Sequence, residues 1–264
     1  MKRSLLVFFT LAILASCKKD VTPVDNTVAR DNSNAESLFT DILKVLHDVA
    51  EGTEGIREYE IGCINEVIVD LESTPMTVMV DFGTDECIGM DGRVRNGKLH
   101  MTFTGQYRDE GTVITVTPEN YKVNGFLIEG VKTITNMGLN GNDQPYFIVS
   151  VNGSVIAPGN AYTLDLTAQR TRTWVEGFET IQVWDDIYEI TGSGSGTNRF
   201  GTPYTTQILT PLRVTLSCPW IISGSSKIVP EGIAERVINF GSGDCNAGFT
   251  VTVDGTEFEI GGGN

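Results

Sequence analysis

His47 and His100 are the only imidazoles in the chain. A Ser-His-Asp triad or a histidine metal site would therefore have to be built on one of them. No Gly-x-Ser-x-Gly elbow is present, because the run Gly192-Ser193-Gly194-Ser195-Gly196 has glycine at its centre. That run also misses the phosphate-loop and dinucleotide patterns. Carboxylates are abundant: Asp85-Glu86, Asp109-Glu110 and Asp185-Asp186 are adjacent acidic pairs. Glycoside hydrolysis needs two carboxyl groups facing one bond, whereas neighbours on a strand point to opposite faces. The densest acidic segment holds Asp81, Asp85, Glu86 and Asp91. It offers oxygen ligands for a structural calcium but lacks the ligand order of a calcium hand; solvated turn residues are the other reading. No other cofactor is implied. Trp174, Trp184 and Tyr188, with Trp220, could stack on sugars or pack across strands. Arg170 and Arg172 share one strand face and read as a surface charge ladder. His47 reads as a surface residue of a helix.

Cysteine chemistry is better defined. Lys2-Arg3, the apolar run from Leu5 to Leu14, and Leu14-Ala15-Ser16-Cys17 follow one another in order. The run has signal-peptide length and is too short to span a bilayer. The tetrapeptide resembles the lipobox of bacterial lipoproteins, which implies cleavage after residue 16 and acylation of Cys17. A multiply acylated cysteine would hold the protein to a membrane firmly, at about 0.8 kcal/mol per buried methylene. Membrane lipid is thus the first expected partner. Lys18, rather than aspartate, after the cysteine implies by the same resemblance sorting to the outer membrane, on its periplasmic or its surface leaflet. Residues 17–33 lack periodicity and read as a flexible tether.

Cys63, Cys87, Cys218 and Cys245 remain, an even number suited to two disulfides in an oxidising compartment. Asp81-Phe82-Gly83 stands before Cys87 and Asn239-Phe240-Gly241 before Cys245, each after an apolar strand. Each second cysteine also has a partner a little over twenty residues upstream. Residues 63–87 and 218–245 thus form a degenerate repeat, from which we expect Cys63–Cys87 and Cys218–Cys245. The spacing lacks the close pairs of a structural zinc site.

The formal net charge of −15 becomes about −17 once Lys2 and Arg3 leave with the leader. A surface this acidic repels phosphate backbones, and no basic stripe offsets it, so no nucleic-acid partner is expected.

The positioning elements follow from periodicity. Ser33 and Glu36 have capping-box spacing, and Leu38, Phe39, Ile42, Leu43, Leu46 and Val49 recur at helical spacing, giving one amphipathic helix over 34–52. From residue 53 to 264 the period is two, as in Leu99, Met101 and Phe103 against His100, Thr102 and Thr104. Asp91-Gly92, Asn96-Gly97, Asn124-Gly125, Asn140-Gly141, Asn152-Gly153 and Asp254-Gly255 are hairpin signals. The fold expected is mainly β. It is an antiparallel meander forming a sandwich or a strongly curved extended sheet, with the helix on a face or end and a closed barrel as the next alternative. The glycine-serine run at 192–196 marks either a linker or a long hairpin loop.

The run Asp91-Gly92-Arg93-Val94-Arg95-Asn96-Gly97-Lys98, leading into Leu99 to Gly105, resembles uncharacterised outer-membrane lipoproteins of the Bacteroidota. So does Thr210-Pro211-Leu212-Arg213-Val214 before Cys218. The resemblance implies the compartment and carries no catalytic residue over. Two functional readings stand. One is a non-catalytic binding or scaffold module whose Thr-rich sheet meets a glycan, lipid or envelope protein; the other is a carboxylate-based glycan hydrolase.

Overall fold

The computed structural model describes residues 25–53, 62–180 and 182–261. Cys17, the leader and most of the expected tether lie outside them. Helix α1 (Thr27–Thr53) comes first, followed by fourteen strands in one antiparallel sheet. In chain order they are β1 (Glu66–Asp70), β2 (Met76–Asp81), β3 (Cys87–Ile88), β4 (Val94–Phe103) and β5 (Val113–Val123). Then come β6 (Phe126–Leu139), β7 (Pro145–Ile156), β8 (Thr163–Glu176), β9 (Ile187–Thr197) and β10 (Pro203–Thr215). The series ends with β11 (Ile221–Pro230), β12 (Arg236–Ser242), β13 (Phe249–Val253) and β14 (Thr256–Ile260). Each strand pairs with its sequence neighbours, except that β3 is a short side branch on β4. Strands β1 and β14 stay unpaired with each other, so the meander is an extended sheet, neither a sandwich nor a closed barrel.

The helix decides how this sheet bends. Every side chain from Asp41 to Glu51 is buried, on all sides of the helix. A single sheet can cover a helix all round only by curling about it. Leu38, Ile42, Leu46 and Val49 pack with inward residues of β2 to β8, such as Leu99, Ile114, Ile134 and Leu166. Val28 and Ala29 pack instead with Ile228, Ile238 and Val251 from the far half of the sheet. The helix is therefore longer than its apolar stripe indicates. It begins at Thr27, whose N–H is received by Asp25 Oδ1 at 2.9 Å, and Ser33 lies inside it. The segment 27–33, expected as tether, is its first two turns.

Two of the six hairpin signals fall inside strands. Asn124-Gly125 and Asp254-Gly255 do turn, with positive φ at both residues. Gly97 instead sits at a bulge in β4, where a Cβ would come within 2.2 Å of the Asn120 carbonyl oxygen. Gly153 lies in β7 opposite Gly130, and a Cβ there would approach Phe39 of the helix to 2.8 Å. The dipeptide signals freedom in φ; whether a turn or a close approach uses it depends on the neighbour. The run 192–196 is likewise no linker or loop but part of β9.

The expected cysteine pairs are both present, with Cα atoms 5.6 Å apart for Cys63–Cys87 and 5.8 Å for Cys218–Cys245. Each ties the residue before a hairpin, β1–β2 or β11–β12, to the corner beyond it. The corners match. Asp81 Oδ1 receives the Gly83 N–H at 2.7 Å, and Asn239 Oδ1 receives the Gly241 N–H at 2.9 Å. Both glycines have positive φ, and both phenylalanines are buried.

Each disulfide closes a loop of a length for which about 3 kcal/mol of stabilisation is expected. Replacing Cys218 and Cys245 together by alanine should lower the unfolding free energy by that amount in a urea titration. An unchanged midpoint would show that the sheet holds the corner without the bond.

Candidate functional site

The helix carries most of its ionisable side chains into the interior, Arg30 being exposed, and the strands and their connections supply partners there. Asp31 receives Arg199 from the β9–β10 turn at 2.5 Å, and Glu36 pairs with Arg170 of β8. Asp41 is met by Arg95 at 2.5 Å, Arg93 at 3.2 Å and the Tyr121 hydroxyl at 2.7 Å. Lys44 donates to the Cys218 carbonyl at 2.5 Å, while Arg93 donates to that of Pro219 at 2.7 Å. The β10–β11 turn is thereby held against the β3–β4 corner. Glu51 takes both ends of the Arg108 guanidinium, at 2.7 and 2.8 Å.

His47 stands in the middle of this seam, fully buried. Its Nε2 lies 2.9 Å from Asp186 and its Nδ1 3.0 Å from the Tyr107 hydroxyl. With Nε2–H donating to the carboxylate, Nδ1 is left to accept from the tyrosine. Trp174 and Tyr188 enclose the ring edge-on, and the Trp174 indole also donates to Asp186 at 3.2 Å. Burial pushes His47 below its ordinary value, against the pull of Asp186. The pair looks like a general base with its orienting carboxylate, yet both groups are sealed from solvent, so what it orders is the core.

Burial alone would raise the Asp41 carboxyl, but Arg95 and Arg93 outweigh it and hold the group at about 2. Lys132, which donates to the Phe39 carbonyl at 2.6 Å, is lowered to about 7 by burial and then by the nearby Arg172.

This interior corrects the readings of His47, Arg170 and Arg172, and it places the remaining candidates. His47 is a core residue, because the helix has no free face. Arg170 and Arg172 point inward as well; Arg172 lies over the Tyr188 ring at 3.3 Å. They form no surface ladder. Trp174 and Tyr188 are each 1% exposed and present no ring to a sugar, while Trp184 is half-buried. In the acidic segment, Asp81 pairs with Lys98 at 3.1 Å and Asp91 with Arg95 at 2.6 Å, while Asp85 and Glu86 face solvent. These four do not converge, and no metal-binding group of three or more such side chains occurs among the described residues. Of the acidic pairs, Asp185-Asp186 is divided between solvent and core.

The outer face of the sheet has the opposite character. Thr77, Thr102, Thr115 and Thr133 stand side by side on β2, β4, β5 and β6. Ser150, Gln169, Ser193 and Gln207 continue the same row across β7 to β10. At about 4.8 Å per strand, these eight uncharged polar residues cover roughly 34 Å of arc. A parallel row, Asn152, Thr167, Ser195, Thr205 and Val229, is also free of charge. Lys227, opposite Gln207, ends the first row, and Asp165 lies two residues from Thr167 along β8.

Over β8 to β11 this face sinks into two adjoining hollows of ≈ 560 and ≈ 510 Å³, which share Thr205 and Val229. Alternation puts Ser193 and Ser195 outward and Gly192, Gly194 and Gly196 inward. The glycines make room beneath: a Cβ at Gly196 would lie 2.7 Å from the Tyr204 hydroxyl. Period-two reading of 163–176 already exposes Asp165, Thr167 and Gln169. Their alignment with Ser193 and Gln207 depends on register, which no single strand encodes. No family model, curated protein or solved structure matches the chain.

Two outcomes test the interior. Asp41→Ala removes the carboxylate that Arg93 and Arg95 share, leaving Arg95 with Asp91 alone, and should destabilise the fold by roughly 3 kcal/mol in urea unfolding; a loss below about 1 kcal/mol would mean that Asp91 or solvent compensates for it. The second concerns Lys132. Unfolded, it keeps its proton up to about 10.5, whereas folded it releases it near 7. Between those values the unfolded chain binds more protons, so this residue makes stability rise with pH. Lys132→Met should flatten that rise in unfolding midpoints taken from pH 7 to 10; an unchanged slope would refute the assignment.

Proposed function

We propose that the protein is a lipid-anchored component of the bacterial cell envelope, held to the outer membrane through acylated Cys17. In this reading it acts as a non-catalytic binding or scaffold module whose outer sheet face is the contact surface. One observation carries it: the charge-free row of Thr, Ser and Gln that crosses β2 to β10 of a strongly acidic chain. Charged groups on the helix engage partners inside, where they support the fold. The groups in that row are Ser, Thr and Gln, which donate and accept hydrogen bonds but are poor acids or bases near neutral pH. The Lys2-Arg3 leader and the Leu14-Ala15-Ser16-Cys17 tetrapeptide support the anchor, and two disulfides are in keeping with export to an oxidising compartment.

A second reading, the carboxylate-based glycan hydrolase, is favoured by one feature. A cleft of ≈ 460 Å³ beside Cys245 is lined by Asp244, Glu257 and Glu259. Release of reducing ends from glycans, lost in Glu257→Gln, would move the assignment to this cleft.

Cys17→Ser should abolish incorporation of labelled fatty acid and move the chain from the membrane pellet to the soluble fraction. Retention in the pellet without label would overturn the lipid anchor.

A further inference from the structure

We infer that the trough over β8 to β11 is a binding site for a neutral polysaccharide, with Phe200 at its end as the stacking ring. This inference rests on the binding-module reading and narrows it to one ligand chemistry.

The trough selects by what lines it. Thr167, Ser193, Ser195, Thr205 and Gln207 present groups that both donate and accept, and none has a side-chain hydrogen bond among the described residues. Sugar hydroxyls have the same dual character. An anionic glycan or a phosphate would need cations, and Lys227 is the only one lining the hollows, with Asp165 and Glu231 at the other end. A protein partner would be expected to find aromatic or arginine anchors in the centre of the surface, and a lipid would need a continuous apolar lining. Here much of the exposed lining is apolar, from Val229, Pro203 and Pro230 among others, but it is interrupted by hydroxyls, a mixture suited to the C–H faces and hydroxyls of sugar rings.

The end of the trough adds an independent feature. Thr197 and Pro203, which line it, flank the β9–β10 turn, and the tip of that turn carries Phe200 at 72% exposure. The tip is held rigidly. Asn198 Oδ1 receives the N–H groups of Phe200 and Thr202 at 3.0 and 2.9 Å, and Arg199 is drawn inward to Asp31 of the helix. With Arg199 anchored, its neighbour is left facing solvent. An exposed ring on a held backbone, three residues along the chain from Thr197 and from Pro203 of the groove, offers an apolar surface near polar contacts. An extended polymer can also follow a curved sheet, meeting successive strands with the same set of groups.

Affinity electrophoresis of the full chain in a polyoxyethylene detergent tests this, with laminarin and dextran as neutral probes and polygalacturonate as the anionic control. We expect at least one neutral polymer to retard the protein and polygalacturonate to have no such effect. Phe200→Ala should weaken retardation about three- to tenfold. Thr167→Val with Thr205→Val, which keeps shape and strand preference while removing two hydroxyls, should weaken it about tenfold. Unchanged far-UV circular dichroism would separate these losses from misfolding. Retardation by neither neutral polymer, stronger retardation by polygalacturonate, or neutral binding unchanged in both variants would each overturn the trough assignment. Release of reducing ends from laminarin would instead overturn the non-catalytic reading, so the two failures are distinguishable.

Discussion

Asp31, Glu36, Asp41, Lys44, His47 and Glu51 sit three to five residues apart along α1, and each finds its partner in a different part of the sheet. A buried charge without a partner is far more costly than a missing apolar contact. Sliding or rotating the helix inside the sheet would break several of these pairs at once. The ion pairs therefore set the register between helix and sheet. Apolar packing supplies the driving force for burial, but a leucine core alone accepts many alignments. The reach of the partners, from Arg93 near the start of the sheet to Pro219 in its second half, also keeps the open meander curled.

The same arrangement explains the contrast between the two faces. Inward positions of the strands alternate apolar residues with arginines and a lysine, and outward positions are dominated in the middle of the sheet by Thr, Ser and Gln. Most of the excess acid is displaced to turns and to the edge strands: Asp70 lies on β1, while Glu257 and Glu259 lie on β14. Exposed acids on edge strands discourage pairing with a second acidic chain. Across the centre of the outer face the row from Thr77 to Gln207 carries no charged side chain. Such a face suits many weak, repeated hydrogen bonds better than one strong contact.

Local order was legible where a residue's neighbours in sequence are also its neighbours in effect. Period-two alternation marked the strands, and the duplicated Asp/Asn-Phe-Gly corner led to both disulfides, because an Asx turn is made within three residues. Arg170 and Arg172 were misread for the opposite reason. They alternate correctly, but their charge alone argues for the outer side of β8; the Glu36 that pairs with Arg170 lies on a helix more than a hundred residues away in sequence, and Arg172 lies over the Tyr188 ring. His47 failed in the same way, since its partners Tyr107 and Asp186 come from two distant loops. Asn96-Gly97 and Asn152-Gly153 looked like turns until the strands packed against them were known.

By itself, then, the sequence determined the strand-rich class, the presence of a helix, the cysteine pairing and the hydroxyl character of alternate strand positions, all through short-range spacing. Only the tertiary structure decided that the helix is wrapped on every side, that its charges are answered from across the sheet, and that separate threonines and serines stand in continuous rows. Those three facts depend on register and curvature. Both are set by contacts between residues far apart in the chain, where no local period carries information.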